Sequence, residues 1–137
     1  ALAKAGFAIV TGGLRGVMDA VGRGAAKARG KGNHPPVVGI LPSYGFDDGN
    51  AHVDIAVPTG LGHARNAIVA AAGEVMICIG GSMGALAEIA LARKIGRPVL
   101  VFPGSGGTAA LAAKAAPSVI SVKSVEEAVA RVKELLR

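Results

Sequence analysis

Glu74-Val-Met-Ile-Cys-Ile79 runs without a break into Gly80-Gly-Ser-Met-Gly-Ala-Leu-Ala-Glu88, and the reading of that junction decides the fold. A short apolar run with β-formers ends in glycines, and an Ala/Leu/Ile-rich stretch at helical spacing follows at once. The pattern predicts a strand, a tight glycine turn and a helix N-terminus. Such a turn suits a phosphate. Glycine lets the backbone approach an anion closely, and the first-turn N–H groups have no partner inside the helix. Glu88 stands about one turn into that helix, within reach of anything held at the turn.

Outward from this junction the same unit recurs. Strands are expected at 7–11, 37–41, 53–57, 74–79, 99–102 and 118–122. Helices are expected at 17–28, 62–72, from Gly84 to about Gly96, after Gly107, and from Val125. Gly30, Gly32 and Asn33 stop the first helix, and Pro35-Pro36 precedes the next strand. Pro42 to His52 reads as a loop with Gly45, Asp47, Asp48, Gly49 and Asn50 as turn formers. Ser124-Val-Glu-Glu127 matches a capping box, with Glu127 reaching back to the Ser124 N–H. Val125, Ala128, Val129, Val132, Leu135 and Leu136 mark one apolar face of the last helix.

Strand–helix units whose strands are apolar almost throughout predict a parallel sheet covered on both faces. The expectation is a Rossmann-like, doubly wound α/β fold in a single domain spanning 1–137. The chain opens in what reads as the tail of a helix, without an initiator Met. An N-terminal strand and part of a helix are therefore expected to be missing ahead of it.

Bulk composition narrows the classes. Hydrophobic residues make up 51% and charged residues 18% of 137 residues, the balance of a soluble globular protein with one substantial core. No uninterrupted apolar stretch is long enough for a membrane span, and the first residues lack the form of a signal peptide. A single cysteine, Cys78, excludes an internal disulfide and a multi-cysteine metal site, so a cytoplasmic setting is expected. His34, His52 and His63 share no ligand-like spacing, and no metal is expected. The net charge of +6 is partly local, with Arg15, Arg23, Lys27, Arg29 and Lys31 accompanied only by Asp19. That bias would favour an anionic ligand, but a solvated helix face in a basic protein is the simpler reading. Aromatics at 3% and no Trp give no base-stacking platform for single strands, which disfavours nucleic acid as a partner.

Three glycine turns follow strands: Thr11-Gly-Gly-Leu-Arg-Gly16, Thr59-Gly-Leu-Gly62 and Gly80-Gly-Ser-Met-Gly84. In a doubly wound sheet such turns gather at the carboxyl edge, where ligands bind. One glycine turn is weak evidence, but three together point to a nucleotide or sugar-phosphate site. Neither the Gly-Lys-Ser/Thr phosphate loop nor a clean Gly-x-Gly-x-x-Gly is present. The candidate phosphate-binding residues are Gly12, Gly13 and Gly16 on the first turn, and Gly81, Ser82, Met83, Gly84 and Ala85 on the third. Arg65, near the start of its helix, offers a guanidinium for a bidentate contact. Asn66 is placed to orient a ribose hydroxyl or to cap the turn. Glu88, among Leu86, Ala87, Ile89 and Ala90, is a candidate acid/base. Cys78, inside an apolar strand, reads as a core thiol.

These residues resemble the superfamily of the Lonely Guy phosphoribohydrolases, formerly described as lysine decarboxylases, and the molybdenum-cofactor carrier proteins. The hydrolases carry Pro-Gly-Gly-x-Gly-Thr-x-x-Glu. Gly80-Gly-Ser-Met-Gly-Ala-Leu-Ala-Glu88 falls onto it without a gap, with Arg65 where an arginine precedes the motif. Thr11-Gly-Gly-Leu-Arg-Gly-Val-Met18 looks like the Thr-Gly-Gly-Gly-x-Gly-x-Met turn, and Thr59-Gly-Leu-Gly-His-Ala-Arg-Asn66 is closer to the carrier-like branch. The departures are Gly80 for proline, Ser82 for glycine, Ala85 for threonine, and Leu14-Arg15 within the first glycine run.

The resemblance implies a Rossmann-like homo-oligomer, a dimer or tetramer, with a phosphorylated small molecule at the carboxyl edge. In the carrier branch that ligand is a phosphate-bearing pterin, the molybdenum cofactor; otherwise a bound nucleotide is implied. The alternative is a nucleoside 5′-monophosphate phosphoribohydrolase, in which the residues matching Arg65 and Glu88 support cleavage of the N-glycosidic bond. The lost threonine hydroxyl at Ala85 weighs against catalysis more than against binding.

Overall fold

The computed structural model describes residues 1–28, 35–116 and 118–137, which form two compact units, Ala1–Val69 and Ala70–Arg137. The expected helix stops at Gly30, Gly32 and Asn33, the basic residues Arg29 and Lys31, and His34 lie outside the described residues.

In the first unit a 3-10 turn (Ala3–Ala5) leads to β1 (Ile9–Thr11), α1 (Val17–Ala28), β2 (Val37–Leu41) and β3 (Ile55–Pro58). The three strands form a sheet in the order β1-β2-β3, all parallel, with Thr11 opposite Gly39 and Leu41 opposite Pro58. β1 is shorter than the apolar run suggests because the Phe7 N–H turns back to Leu2 O at 3.2 Å. β3 starts at Ile55 rather than Val53. Asp54 is the reason: its carboxylate accepts the Val37 N–H at 2.7 Å, and its own N–H donates to Val37 O at 2.9 Å. The β2–β3 crossover contains no α-helix, only the 3-10 turn Phe46–Asp48 inside the expected loop.

The helix expected from Gly62 opens instead as a 3-10 turn, Gly62–Arg65, before α2 (Asn66–Ala72). Gly60 and Gly62 at φ +65° and +54° set that entry, because the left-handed region cannot be part of an α-helix.

The second unit carries β4 (Met76–Ile79), α3 (Met83–Lys94), β5 (Val99–Phe102), α4 (Gly107–Ala115), β6 (Ile120–Ser121) and α5 (Val125–Leu135). Its sheet runs β4-β5-β6, again wholly parallel. Val99, Leu100 and Val101 are fully buried, as a central strand covered on both faces must be. Ala92, Ala109 and Ala112 let α3 and α4 approach that strand closely. The fold is Rossmann-like α/β. Among the described residues, no helix is long and apolar enough to cross a membrane.

The capping box at α5 forms with one change of partner. Ser124 Oγ accepts the Glu127 N–H at 3.1 Å, but Glu127 Oε2 accepts from Lys123 N–H at 2.8 Å, not from Ser124. The expected apolar face is buried only in part: Ala128 and Val132 are inside, whereas Val125, Leu135 and Leu136 are exposed. With so little burial the cap matters. Ser124→Ala should cost about 1 kcal/mol in urea unfolding, and Ser124→Asp should recover most of it. An unchanged midpoint for the alanine variant would show that the cap contributes nothing.

Candidate functional site

The first unit brings Gly12, Gly13, Arg65 and Asn66 together at the carboxyl end of its sheet. The Gly13 N–H donates to Thr11 Oγ1 at 3.0 Å, folding the chain sharply off β1. Gly13 has φ +72° and lies against β2: a Cβ there would stand 3.1 Å from Gly39 Cα and closer still to Leu41 Cδ2. Gly12 faces the Arg65 guanidinium, so that a Cβ would stand 2.7 Å from Cζ and 2.9 Å from Nη1, with Nη2 nearer still. Only glycine leaves room for the fork. Arg65 is 8% exposed and donates through Nη1 to Asn66 Oδ1, and Asn66 is equally buried. Asn66 thus helps to orient the guanidinium.

Asn50 completes this turn, a residue that the sequence marked only as a turn former. Its Nδ2 donates to Leu14 O at 2.7 Å and Gly13 O at 3.2 Å, and its N–H donates to Gly13 O at 2.8 Å. In a trans peptide the C=O and N–H point in opposite directions. With the carbonyls of Gly13 and Leu14 fixed on Asn50, the amides of Leu14 and Arg15 are turned away from it. Gly16, φ +71°, has nothing within 4 Å of a Cβ and marks the open end of the turn. Beside it a cleft of 580 Å³ is lined by Leu14, Arg15 and Gly16 and by Asp19, Asp47 and Asp48. Three carboxylates against one guanidinium make that cleft unsuited to a phosphate. His63 is exposed, and His52 Nε2 lies 3.9 Å from Asp19 Oδ1.

In the second unit the turn 80–82 is built from behind. The Gly80 N–H donates to Ser105 Oγ at 2.7 Å, and Ser105 Oγ donates to Phe102 O at 2.6 Å. Gly80 O accepts from the Ala109 N–H at 2.8 Å, and Gly81 O from the Thr108 N–H at 3.1 Å. Ser82 O accepts both Thr108 Oγ1 at 2.8 Å and the Leu86 N–H at 3.1 Å. Three successive carbonyls therefore point into the unit. The amides of Gly81, Ser82 and Met83 must point outward, and all three residues are exposed. Ser82, the N-cap of α3, makes no side-chain cap bond, so the first-turn amides of Met83, Gly84 and Ala85 keep their donor capacity. Successive outward amides at a helix start form an anion-binding concavity.

The sequence reading missed Ser105 and Thr108. Their signal was present: a second Gly/Ser/Thr loop after the neighbouring parallel strand must end at the same sheet edge. Ala85 packs its Cβ against Gly81, where an added Cβ would meet it at 2.6 Å. Glu88, half-buried on α3, acts on Cys78 beneath the turn. Burial first, and the negative charge of Glu88 second, raise the Cys78 thiol above its ordinary value. Cys78 is 3% exposed, as expected of a core thiol.

A raised thiol pKa keeps its stabilising effect below the unfolded value and loses it as pH rises towards the folded one. Stability should therefore fall from about pH 9 upward. Cys78→Ala should flatten that alkaline limb, and native protein at pH 8 should resist a disulfide reagent that titrates one thiol in urea. Rapid reaction of the native thiol would contradict the burial.

The sequence profile of the SLOG cluster4 family matches residues 1–130. An uncharacterised protein of Archaeoglobus fulgidus is 40% identical over 98 residues, covering 72% of this chain and 61% of that protein. The match thus spans about three fifths of that relative's length. Among solved structures, TM1055, a structural-genomics target, superposes with TM-score 0.88 at 32% identity, covering 97% of this chain and 81% of its own. The molybdenum cofactor binding protein of Rippkaea orientalis gives 0.84 at 34% identity, covering 99% and 82%. The molybdenum cofactor carrier protein of Chlamydomonas reinhardtii gives 0.80 at 34%, covering 98% and 81%.

Proposed function

The chain belongs to the SLOG cluster4 family, and from that premise we propose that it is a carrier-type binding protein for a phosphate-bearing pterin or nucleotide. One observation carries the reading: the Arg65 guanidinium lies against Gly12 in space that a Cβ would fill. A positive charge is thereby placed at Gly12, and neither Gly12 nor Arg65 lines the acidic cleft at the Gly16 end of the turn. Backbone amides with a guanidinium behind them fit a phosphate dianion. Gly12, Gly13 and Gly16 shape the turn, Arg65 supplies charge and Asn66 sets the fork. Gly81, Ser82, Met83, Gly84 and Ala85 supply a second set of anion-directed amides.

The molybdenum cofactor named for the two structural relatives fits this donor set at its phosphate end. It would bring its own metal. Among the described residues, no group of three or more His, Cys, Asp or Glu is placed to hold an ion. The chain's task is to hold the ligand and keep its charged end fixed.

The test is calorimetric titration with neopterin monophosphate and with GMP, beside mass spectrometry of small molecules that co-purify with the native protein. Micromolar or tighter binding of one class, weakened about tenfold in Arg65→Ala, is expected. Binding of neither, with no co-purifying phosphate ester, overturns the proposal.

The hydrolase reading is favoured by a single observation, the half-buried Glu88 beside an apolar thiol. Release of free base from AMP above the rate of Glu88→Gln would establish it, and equal rates would remove it. Exposed Ile79, Met83 and Ile95 support the homo-oligomer. A monomer mass by sedimentation would remove that part, and a cytoplasmic location is part of the same reading.

A further inference from the structure

The two most exposed aromatic side chains lie on one short loop, and the loop is not loose. Tyr44 is 85% exposed and Phe46 69% exposed, in a chain that has only three phenylalanines and one tyrosine. The segment before Tyr44 is bonded rung by rung to the segment after β3. Leu41 O accepts the Thr59 N–H at 3.1 Å and Thr59 Oγ1 at 2.7 Å. Ser43 O accepts the Gly60 N–H at 3.0 Å, and Pro42 O accepts the Gly62 N–H at 2.9 Å. The phenol ring then rests on Gly60. A Cβ at that position would stand 2.8 Å from Cδ1 and nearer to Cε1 and Cζ, and φ at Gly60 is +65°. Glycine at 60 therefore seats the ring, and the rest of the ring is open to solvent. An aromatic ring seated on an ordered scaffold with its other face open is a surface on which a flat ring can stack.

Its position relative to the first glycine turn gives it a task. Gly12 follows β1 and Gly60 follows β3, with β2 between, so about 10 Å, two strand spacings, separates them. The 3-10 turn Gly62–Arg65 crosses that interval, starting beside Tyr44 at Gly60 and ending with the guanidinium on Gly12. A nucleoside monophosphate, or a pterin with a phosphorylated side chain, has a similar reach from phosphate to ring. We propose that Tyr44 is the stacking platform that selects a flat heteroaromatic ring while the Gly12–Arg65 turn holds the phosphate of the same molecule. This rests on the proposed binding function and adds the residue that sets ligand class. Aromatic stacking on a single exposed ring is sequence-tolerant and strong enough to discriminate a heterocycle from a bare sugar phosphate.

Two probes separate the two ideas, neopterin monophosphate and ribose 5-phosphate, titrated into the full chain. Tyr44→Ala is expected to weaken neopterin monophosphate about tenfold or more and to leave ribose 5-phosphate unchanged. Tyr44→Phe keeps the stacking surface and should stay within about twofold of the parent. Pterin emission, excited where protein does not absorb, should be quenched on binding to the parent and not to Tyr44→Phe, because phenol donates an electron more readily than benzene. Equal affinity of parent and Tyr44→Ala for the pterin, with both still binding ribose 5-phosphate, overturns the stacking role and leaves the phosphate site standing. Binding of neither probe to the parent overturns both.

Discussion

Gly107→Ala is expected to destabilise the protein by about 3 kcal/mol, a fall of roughly 10 °C in Tm for a chain of this size. Two costs add. Gly107 has φ +55°, which an L side chain adopts only with strain, and the new Cβ would meet Gly81 O at 2.5 Å and Gly80 C at 3.0 Å. These are backbone atoms, so no rotamer change relieves the contact. The turn they belong to is also anchored by the Thr108 and Ala109 N–H groups, which start from this residue. Gly104→Ala is the matched control. It has no atom within 4 Å of an added Cβ and no positive φ, and should stay within about 0.5 kcal/mol of the parent. Equal melting of the two variants in calorimetry would show that the 80–81 turn and the start of α4 are not locked together.

Gly12→Ala should reproduce the binding loss of Arg65→Ala, about tenfold against neopterin monophosphate, with little change in stability. The clash at position 12 is with the far end of a flexible side chain. The cheap response is for the guanidinium to move rather than for the sheet to open. Both variants then act through one group, and the double variant should lose about tenfold, not the hundredfold of independent sites. Additive losses would mean that Gly12 serves the ligand through its own amide. Little or no loss in Gly12→Ala would mean that the fork has room elsewhere.

Much of the fold could be read before the structure. The start of α1 and the limits of β2 and β5 are as expected because each is bounded by local chemistry: a glycine turn before Val17, Pro35-Pro36 before Val37, Pro98 before Val99. The limits shift where a distant group competes. Asp54 gives its carboxylate and N–H to Val37 and delays β3. Glu127 takes the Lys123 amide instead of the Ser124 amide, a choice of one residue that a motif cannot express. The candidate site divides in the same way. Glycines at 12, 13, 80 and 81 announce close backbone approach, and their positions in the sequence suffice to find them. Asn50, Ser105 and Thr108 act at the opposite end of each turn. Their partners are set by strand order, which no local pattern contains. Tyr44 was invisible for another reason, since one tyrosine in a turn-rich loop looks incidental until Gly60 is found beneath its ring.

Ser105 and Thr108, which help to fix Gly80, Gly81 and Ser82, stand on the inward side of the turn. Substitutions at Ser105 or Thr108 can therefore tilt the outward amides without altering any atom that a guest would touch. For the proposed anion site, ligand preference would then be set from the rear, as a stage is re-set from the wings.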